Sequence, residues 1–225
     1  MSFIEVDYIR TNLQSIAGVD EVGRGPLAGS VVAGCALYNI GSFLNNDFQF
    51  LKDLGVSDSK KLTDKKRITI LNELGLKLTK QKQTLFDGRL SICLSEVGHQ
   101  RIDQINILQA SLLAMKRSFE NLHDKHNQAV VLIDGNKSFK TSSQVHAHTL
   151  VKGDEKSVLI GLSSILAKVY RDELMKKLSK SYPHYGFENN AGYPTKLHRH
   201  AIEQYGITPY HRKSFKGVKE YVQSH

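Results

Sequence analysis

The chain has 225 residues, 40% of them hydrophobic, with 31 Lys and Arg against 22 Asp and Glu, a net charge of +9 and a pI near 9.4. That size and apolar content suit one large domain, or a domain with an appendage. No apolar run approaches the roughly 20 residues of a membrane span, and the polar, acid-bearing segment from Met1 to Asn12 lacks the form of a signal peptide.

The two cysteines, Cys35 and Cys93, both lie in apolar surroundings. They read as buried thiols in a reducing, cytoplasmic compartment and not as a disulfide or metal pair. The basic excess favours a polyanionic partner, although a protein can be basic without having one. Nothing in the chain suggests an oligomer, so a monomer is expected.

The first strand signal spans 14–20 and runs into VDEVGRGPLAG, Val19 to Gly29. It leaves Asp20 and Glu21 at the strand's end or just beyond it, a costly place for two carboxylates unless something neutralises them. A second strand is expected at 29–38. Thr63 opens a helix, TDKKRITILNEL, as its N-cap, while Lys66 stands where a capping box would have Glu.

A third strand is expected at 76–86, alternating in part through Leu76, Leu78, Leu85 and Phe86. From Asp103 to Leu122, Ile105, Leu108, Leu112, Met115 and Phe119 recur at three- and four-residue steps and predict one amphipathic helix. Ala129 to Asp134 is a short apolar run followed by Gly135-Asn136, which suits a central strand buried on both faces. A fifth strand is expected at 146–152 and a long helix from about 158 to 180.

Beyond Tyr182 the chain is broken by Pro183, Gly186, Gly192, Pro194, Gly206 and Pro209, and histidines become frequent. Residues 182–225 therefore read as a smaller, mostly helical appendage on an α/β body of 1–181. Strands first, then alternating helices and strands, imply a mixed five-stranded sheet flanked by helices.

Four carboxylates close apolar runs: Asp20, Glu21, Asp134 and Asp154. Taken singly, Asp134-Gly135-Asn136 also fits a plain turn, and Asp154 also fits a solvated helix N-terminus. Together they suggest more, because strand ends in open α/β sheets converge where ligands bind. Clustered carboxylates raise one another's pKa unless a cation intervenes. Oxygen-only donors suit Mg²⁺ or Mn²⁺, and such ions can promote phosphodiester cleavage. A basic chain with such a site is a nuclease candidate.

The sequence resembles the ribonuclease HII family, the type 2 ribonucleases H. The matching segments run in family order: VDEVGRGPLAG at 19–29, DSKKL at 58–62, NILQASLLAM at 106–115, VLIDGN at 131–136, VKGD at 151–154, SILAKVYRD at 164–172, GYPTKLH at 192–198 and HRKSF at 211–215. The resemblance implies a ribonuclease H-like fold with a C-terminal helical extension. It also implies cleavage of the RNA strand of RNA–DNA hybrids, and incision on the 5′ side of a ribonucleotide embedded in duplex DNA, leaving 3′-hydroxyl and 5′-phosphate ends.

Carried over by position, Asp20, Glu21, Asp134 and Asp154 are the catalytic and metal-binding acids, and Gly23, Arg24 and Gly25 read the 2′-hydroxyl. Glycine permits close backbone approach, the 2′-hydroxyl distinguishes RNA from DNA, and the fork of Arg24 suits a phosphate. Tyr193 stacks on the sugar of the following deoxynucleotide. Lys60, Lys61 and Lys168 are candidate phosphate contacts, the first two equally readable as a solvated basic run.

His198 is expected to be structural, and His146 and His148 to lie on the sheet surface or near phosphates. Asp172 is expected to pair with a neighbouring helix. The chain departs from the family pattern at Ser57, Arg101, Ile160-Gly161-Leu162-Ser163 and Asn190-Ala191, without loss of an acid. In Ile160-Gly161, glycine is expected to weaken the helix. Type 3 relatives usually lack the arginine of the glycine block and carry an extra N-terminal domain, for which Asp20 comes too early.

Overall fold

The computed structural model describes residues 4–8 and 12–222, apart from the side chains of Ser57, Asp58 and Lys60. Six strands, one more than the sequence suggests, form a mixed sheet in the order β3-β4-β2-β1-β5-β6. They are β1 Ser15–Val22, β2 Val31–Asn39, β3 Gln83–Leu85, β4 Leu90–Val97, β5 Ala129–Asp134 and β6 Val145–Leu150. β5 and β6 join β1 in parallel, while the pairs on the other side are antiparallel. β1, near the middle, is buried on both faces over its first six residues, which is why its apolar residues run almost without interruption.

The helices are α1 Asn45–Asp53, α2 Asp64–Glu73, α3 His99–Ile105, α4 Ile107–Glu120, α5 Val158–Ser181, α6 Phe187–Asn190 and α7 Lys196–Tyr205. Thr63 caps α2 by accepting the Lys66 N–H, 3.2 Å away. None of the described helices is long and apolar enough to cross a membrane.

Two elements differ from the sequence reading. The strand expected over 76–86 shrinks to β3, and the principal strand follows at Leu90–Val97. Between them Phe86, Asp87 and Gly88 hold φ of 53°, 53° and 86°. This left-handed turn reverses the chain into a hairpin, and Asp-Gly is its sequence signal. The helix expected over 103–122 is two helices, because Asn106 sits at φ 65° and its side chain accepts the Gln109 N–H to start α4. Asn suits both tasks.

α5 lies across β1 and β2 at backbone distance. A Cβ on Gly18 would come 2.4 Å from Ile160 N, and one on Gly34 2.4 Å from Ser163 O. Ser163 Oγ donates to Gly18 O at 2.9 Å across the same contact. Gly161 has a role beyond its low helix propensity: its Cβ would lie 2.3 Å from Val56 O, so glycine lets α5 meet the 3-10 turn Val56–Lys61. Gly34→Val is expected to lower the unfolding free energy by about 3 kcal/mol, read by urea denaturation. An unchanged midpoint would contradict direct backbone packing.

One apolar core fills the α5 side of the sheet and a second the α4 side. Cys35 and Cys93 face each other across β2 and β4 as buried free thiols. A third, smaller core joins Leu27, Ala28 and Met175 to Tyr185, Phe187, Ile202 and Val218, which seats the C-terminal helices against the glycine block.

Candidate active site

The parallel ladder of β1 and β5 ends at Val19 opposite Ile133. Asp20 and Asp134 therefore stand side by side just past that ladder, each still paired on its other edge, on strands about 4.8 Å apart. Alternation along β1 turns Asp20 towards α5, where Ser164 hydrogen-bonds it, and Glu21 towards the α4 side. Asp20 is buried and accepts the Glu21 N–H at 2.7 Å.

Burial, then the charges of Asp134 and Glu21, push the Asp20 carboxyl well above the usual carboxylate range. Burial also raises Glu21, opposed by Arg24, whose Nη1 lies 3.3 Å from Glu21 Oε1.

Asp134 Oδ1 accepts the Gly153 N–H at 2.7 Å, which ties the turn Gly153–Glu155 to the end of β5. The next residue, Asp154, is fully buried and accepts Ser59 Oγ at 3.0 Å. The structure thus brings Asp20, Glu21 and Asp134 into one electrostatic field, with Asp154 joined to them through Gly153. Among the described residues, no three Asp, Glu, His or Cys side chains close into a ready-made coordination cage. The donor chemistry still fits a hard divalent cation, because neighbouring negative charges that raise the Asp20 and Glu21 carboxyls are the arrangement a cation relieves. A cavity of about 120 Å³ beside them is lined by Glu21, Arg24, Ser111, Asp134, Asn136 and Lys137.

The glycine block is held by two buried arginines, and both take backbone carbonyls as partners. Arg212 donates to Gly23 O at 2.6 Å, Arg24 O at 2.9 Å and Gly29 O at 3.0 Å. Arg171 donates to Ser30 O at 3.1 Å, Ala191 O at 2.9 Å and Ala28 O at 3.3 Å. Gly23 has φ 94°, and a Cβ there would sit 2.2 Å from Arg171 Nε. The side chain of Arg24 is half exposed. The ring of Tyr193, also exposed, lies against Gly25, where a Cβ would be 3.1 Å from Cε1.

A chain of hydrogen bonds with one direction fixes the backbone of Tyr193. The Thr208 N–H donates to His211 Nδ1 at 2.8 Å, so His211 carries its proton on Nε2. That proton goes to His198 Nε2 at 3.0 Å, and His198 Nδ1–H donates to Tyr193 O at 2.9 Å. Burial, then the repulsion a protonated His198 would add, hold His211 down to about 4.

An unfolded histidine takes up its proton near 6.5, whereas this one resists until about 4. Its contribution is therefore complete above 6.5 and is lost as pH falls towards 4, at up to about 1.4 kcal/mol per pH unit. The stability advantage of wild type over His211→Gln is expected to shrink across that window in pH-dependent denaturation. A flat difference would contradict a neutral pair.

The remaining candidates are dispersed. Lys61 is exposed at the end of the turn Val56–Lys61, and the side chain of Lys60 lies outside the described residues. Lys168 Nζ pairs with Asp172 Oδ1 at 2.7 Å along α5, so the partner of Asp172 is on its own helix and not on a neighbour. His146 and His148 are exposed on the edge strand β6, His148 edge-on to Tyr8. His198 is fully buried. Composition and spacing do not single out Ser59, Ser164, Arg171, His211 or Arg212 as supports of the site.

A mixed sheet with a buried and a part-buried acid side by side on two neighbouring parallel strands, and a long helix across its centre, defines a ribonuclease H-like hydrolase. Residues 17–218 match the family model of ribonuclease HII. The chain is 43% identical over 221 residues to ribonuclease HII of Desulfotalea psychrophila, covering 98% of this chain and 88% of that protein. It is 41% identical to ribonuclease HII of Psychromonas ingrahamii, covering 98% of both. Among solved structures, ribonuclease H2 from Pyrococcus horikoshii OT3 superposes with a TM-score of 0.67 at 25% identity, covering 92% of this chain and 96% of that one. The chain belongs to the ribonuclease HII family and is an enzyme of the ribonuclease H class.

Proposed function

We propose that the protein is an endonuclease that hydrolyses the RNA strand of RNA–DNA hybrids. It also incises on the 5′ side of a single ribonucleotide in duplex DNA, leaving a 3′-hydroxyl and a 5′-phosphate. The observation that carries this reading is one juxtaposition. Three mutually repelling carboxylates lie beside a glycine loop whose shape two buried arginines fix, and an exposed tyrosine lies on that loop.

Asp20, Glu21, Asp134 and Asp154 would hold Mg²⁺ or Mn²⁺. Such an ion, when bound, supplies the positive charge that polarises a water and neutralises a phosphodiester. Around it, Gly23 and Gly25 let the backbone approach a ribose closely enough to sense the 2′-hydroxyl. The half-exposed guanidinium of Arg24 suits the adjacent phosphate, and Tyr193 presents its ring to the next sugar. Lys61 and Lys168 would contact phosphates further along the duplex, Lys168 after exchanging its Asp172 partner.

The deciding experiment incubates the protein with Mg²⁺ and a duplex carrying one ribonucleotide, beside an all-DNA duplex. Incision 5′ of the ribonucleotide alone is expected. Binding without incision would make the protein a nucleic-acid-binding module, and cleavage of the all-DNA duplex would make it a nuclease of another specificity.

A further inference from the structure

At the end of the sheet away from the acids, a cavity of about 320 Å³ opens between the C-terminal turn of α4 and the connection entering β6. The register fixes its place. β5 ends at Asp134, whereas Val145, in the cavity wall, pairs with Ala129 at the other end of that strand. Five residues at about 3.3 Å each separate the two ends by roughly 17 Å.

The floor is apolar, since Phe119, Phe139 and Val145 are all buried. The rim is cationic, with Lys116, Lys125 and Lys140. Glu120, the acid in the lining, lies 3.7 Å from Lys116 and so offsets only part of that charge. His123 also lines the cavity, stacked on Phe119 with ring centroids 4.8 Å apart. Both its ring nitrogens are buried without a hydrogen-bond partner. Buried imidazoles normally have such partners. Burial keeps His123 neutral by lowering its pKa, so it offers one donor and one acceptor.

We propose that this cavity docks an acidic peptide segment of another protein carrying one bulky apolar side chain. The apolar side chain fills the space over Phe119, Phe139 and Val145, and the flanking carboxylates meet Lys116, Lys125 and Lys140. An apolar anchor in a desolvated pocket with a complementary charged rim is how short peptides gain both affinity and register. A nucleic-acid strand suits the cavity less well. Phosphates meet lysines on open surface without an apolar floor, and placing a base on that floor requires unstacking it. Since the acids lie at the opposite end, the peptide tethers the enzyme to its partner and leaves substrate access open.

The test titrates a fluorescein-labelled octapeptide of seven aspartates and one central phenylalanine into the full chain at 0.15 M salt. Saturable binding below about 1 mM is expected, weakened at least about tenfold by Lys140→Glu or by replacing the peptide's phenylalanine with alanine. Lys140→Glu changes an exposed side chain and is expected to leave the enzyme's nuclease activity unchanged. No saturation by about 1 mM, or equal binding by Lys140→Glu or by the alanine peptide, overturns the proposal. So does a single-stranded oligonucleotide that displaces the peptide and shifts the His123 ring resonances, which would reassign the cavity to nucleic acid.

Discussion

Asp20→Asn is expected to slow incision at a single ribonucleotide by at least about a hundredfold and, in metal-free buffer, to raise the unfolding free energy by about 1–2 kcal/mol. The two effects share one cause. Asp20 is buried beside Asp134 and Glu21, and both burial and their charges act against its ionised form. Asparagine removes the charge but keeps an oxygen for the Glu21 N–H.

The sign with pH follows from the raised carboxyl. The folded chain holds the Asp20 proton more tightly than the unfolded chain, so ionising it subtracts stability once pH climbs past the unfolded value near 3.9. In metal-free buffer the advantage of Asp20→Asn should therefore be largest at alkaline pH and vanish in acid. Mg²⁺ should stabilise wild type more than the variant. Near-wild-type turnover, or a variant less stable than wild type at pH 8, would remove Asp20 from the proposed site.

Arg212→Ala is expected to cost about 3–5 kcal/mol of stability, measured by denaturation, and to raise KM for single-ribonucleotide duplexes. Arg212 is fully buried and donates to three carbonyls, those of Gly23, Arg24 and Gly29. Truncation leaves three buried acceptors unpaired and a void behind the loop. Arg212→Lys should recover little, because an ammonium on a flexible stem cannot span three acceptors that a planar fork reaches together. A loss below about 1 kcal/mol, or full rescue by lysine, would show that the loop holds its shape without this side chain.

What the sequence reveals here depends on whether the cause is local. The continuous apolar runs of β1 and β5 mark buried central strands, and Thr63 marks the start of α2, because burial and capping act within a few residues. The acids at the strand ends are visible for the same reason. The break at Asn106 is hidden by an apolar period that carries through both helices, although the backbone turns there to φ 65°. The long strand Leu90–Val97 is hidden because its serines, Ser91 and Ser95, are buried against neighbours the sequence does not reveal. The anchors of the glycine block lie farther off still. Arg171 and Arg212 reach carbonyls between 143 and 189 residues away wherever they touch the block, and Ser59 reaches Asp154 across 95. A carbonyl acceptor leaves no mark in the sequence.

Where α5 crosses β1 and β2, no cushion of side chains separates helix from sheet at Gly18 and Gly34. Sliding or tilting there would drive main chain into main chain. The helix bearing Ser164 and the strand bearing Asp20 accordingly behave as a single anvil. The loop at Gly23 to Gly25 and the turn Gly153–Glu155 are pinned beside it by hydrogen bonds from Arg212 and to Asp134, so whatever accommodation an incoming duplex demands falls to the exposed side chains of Arg24 and Tyr193.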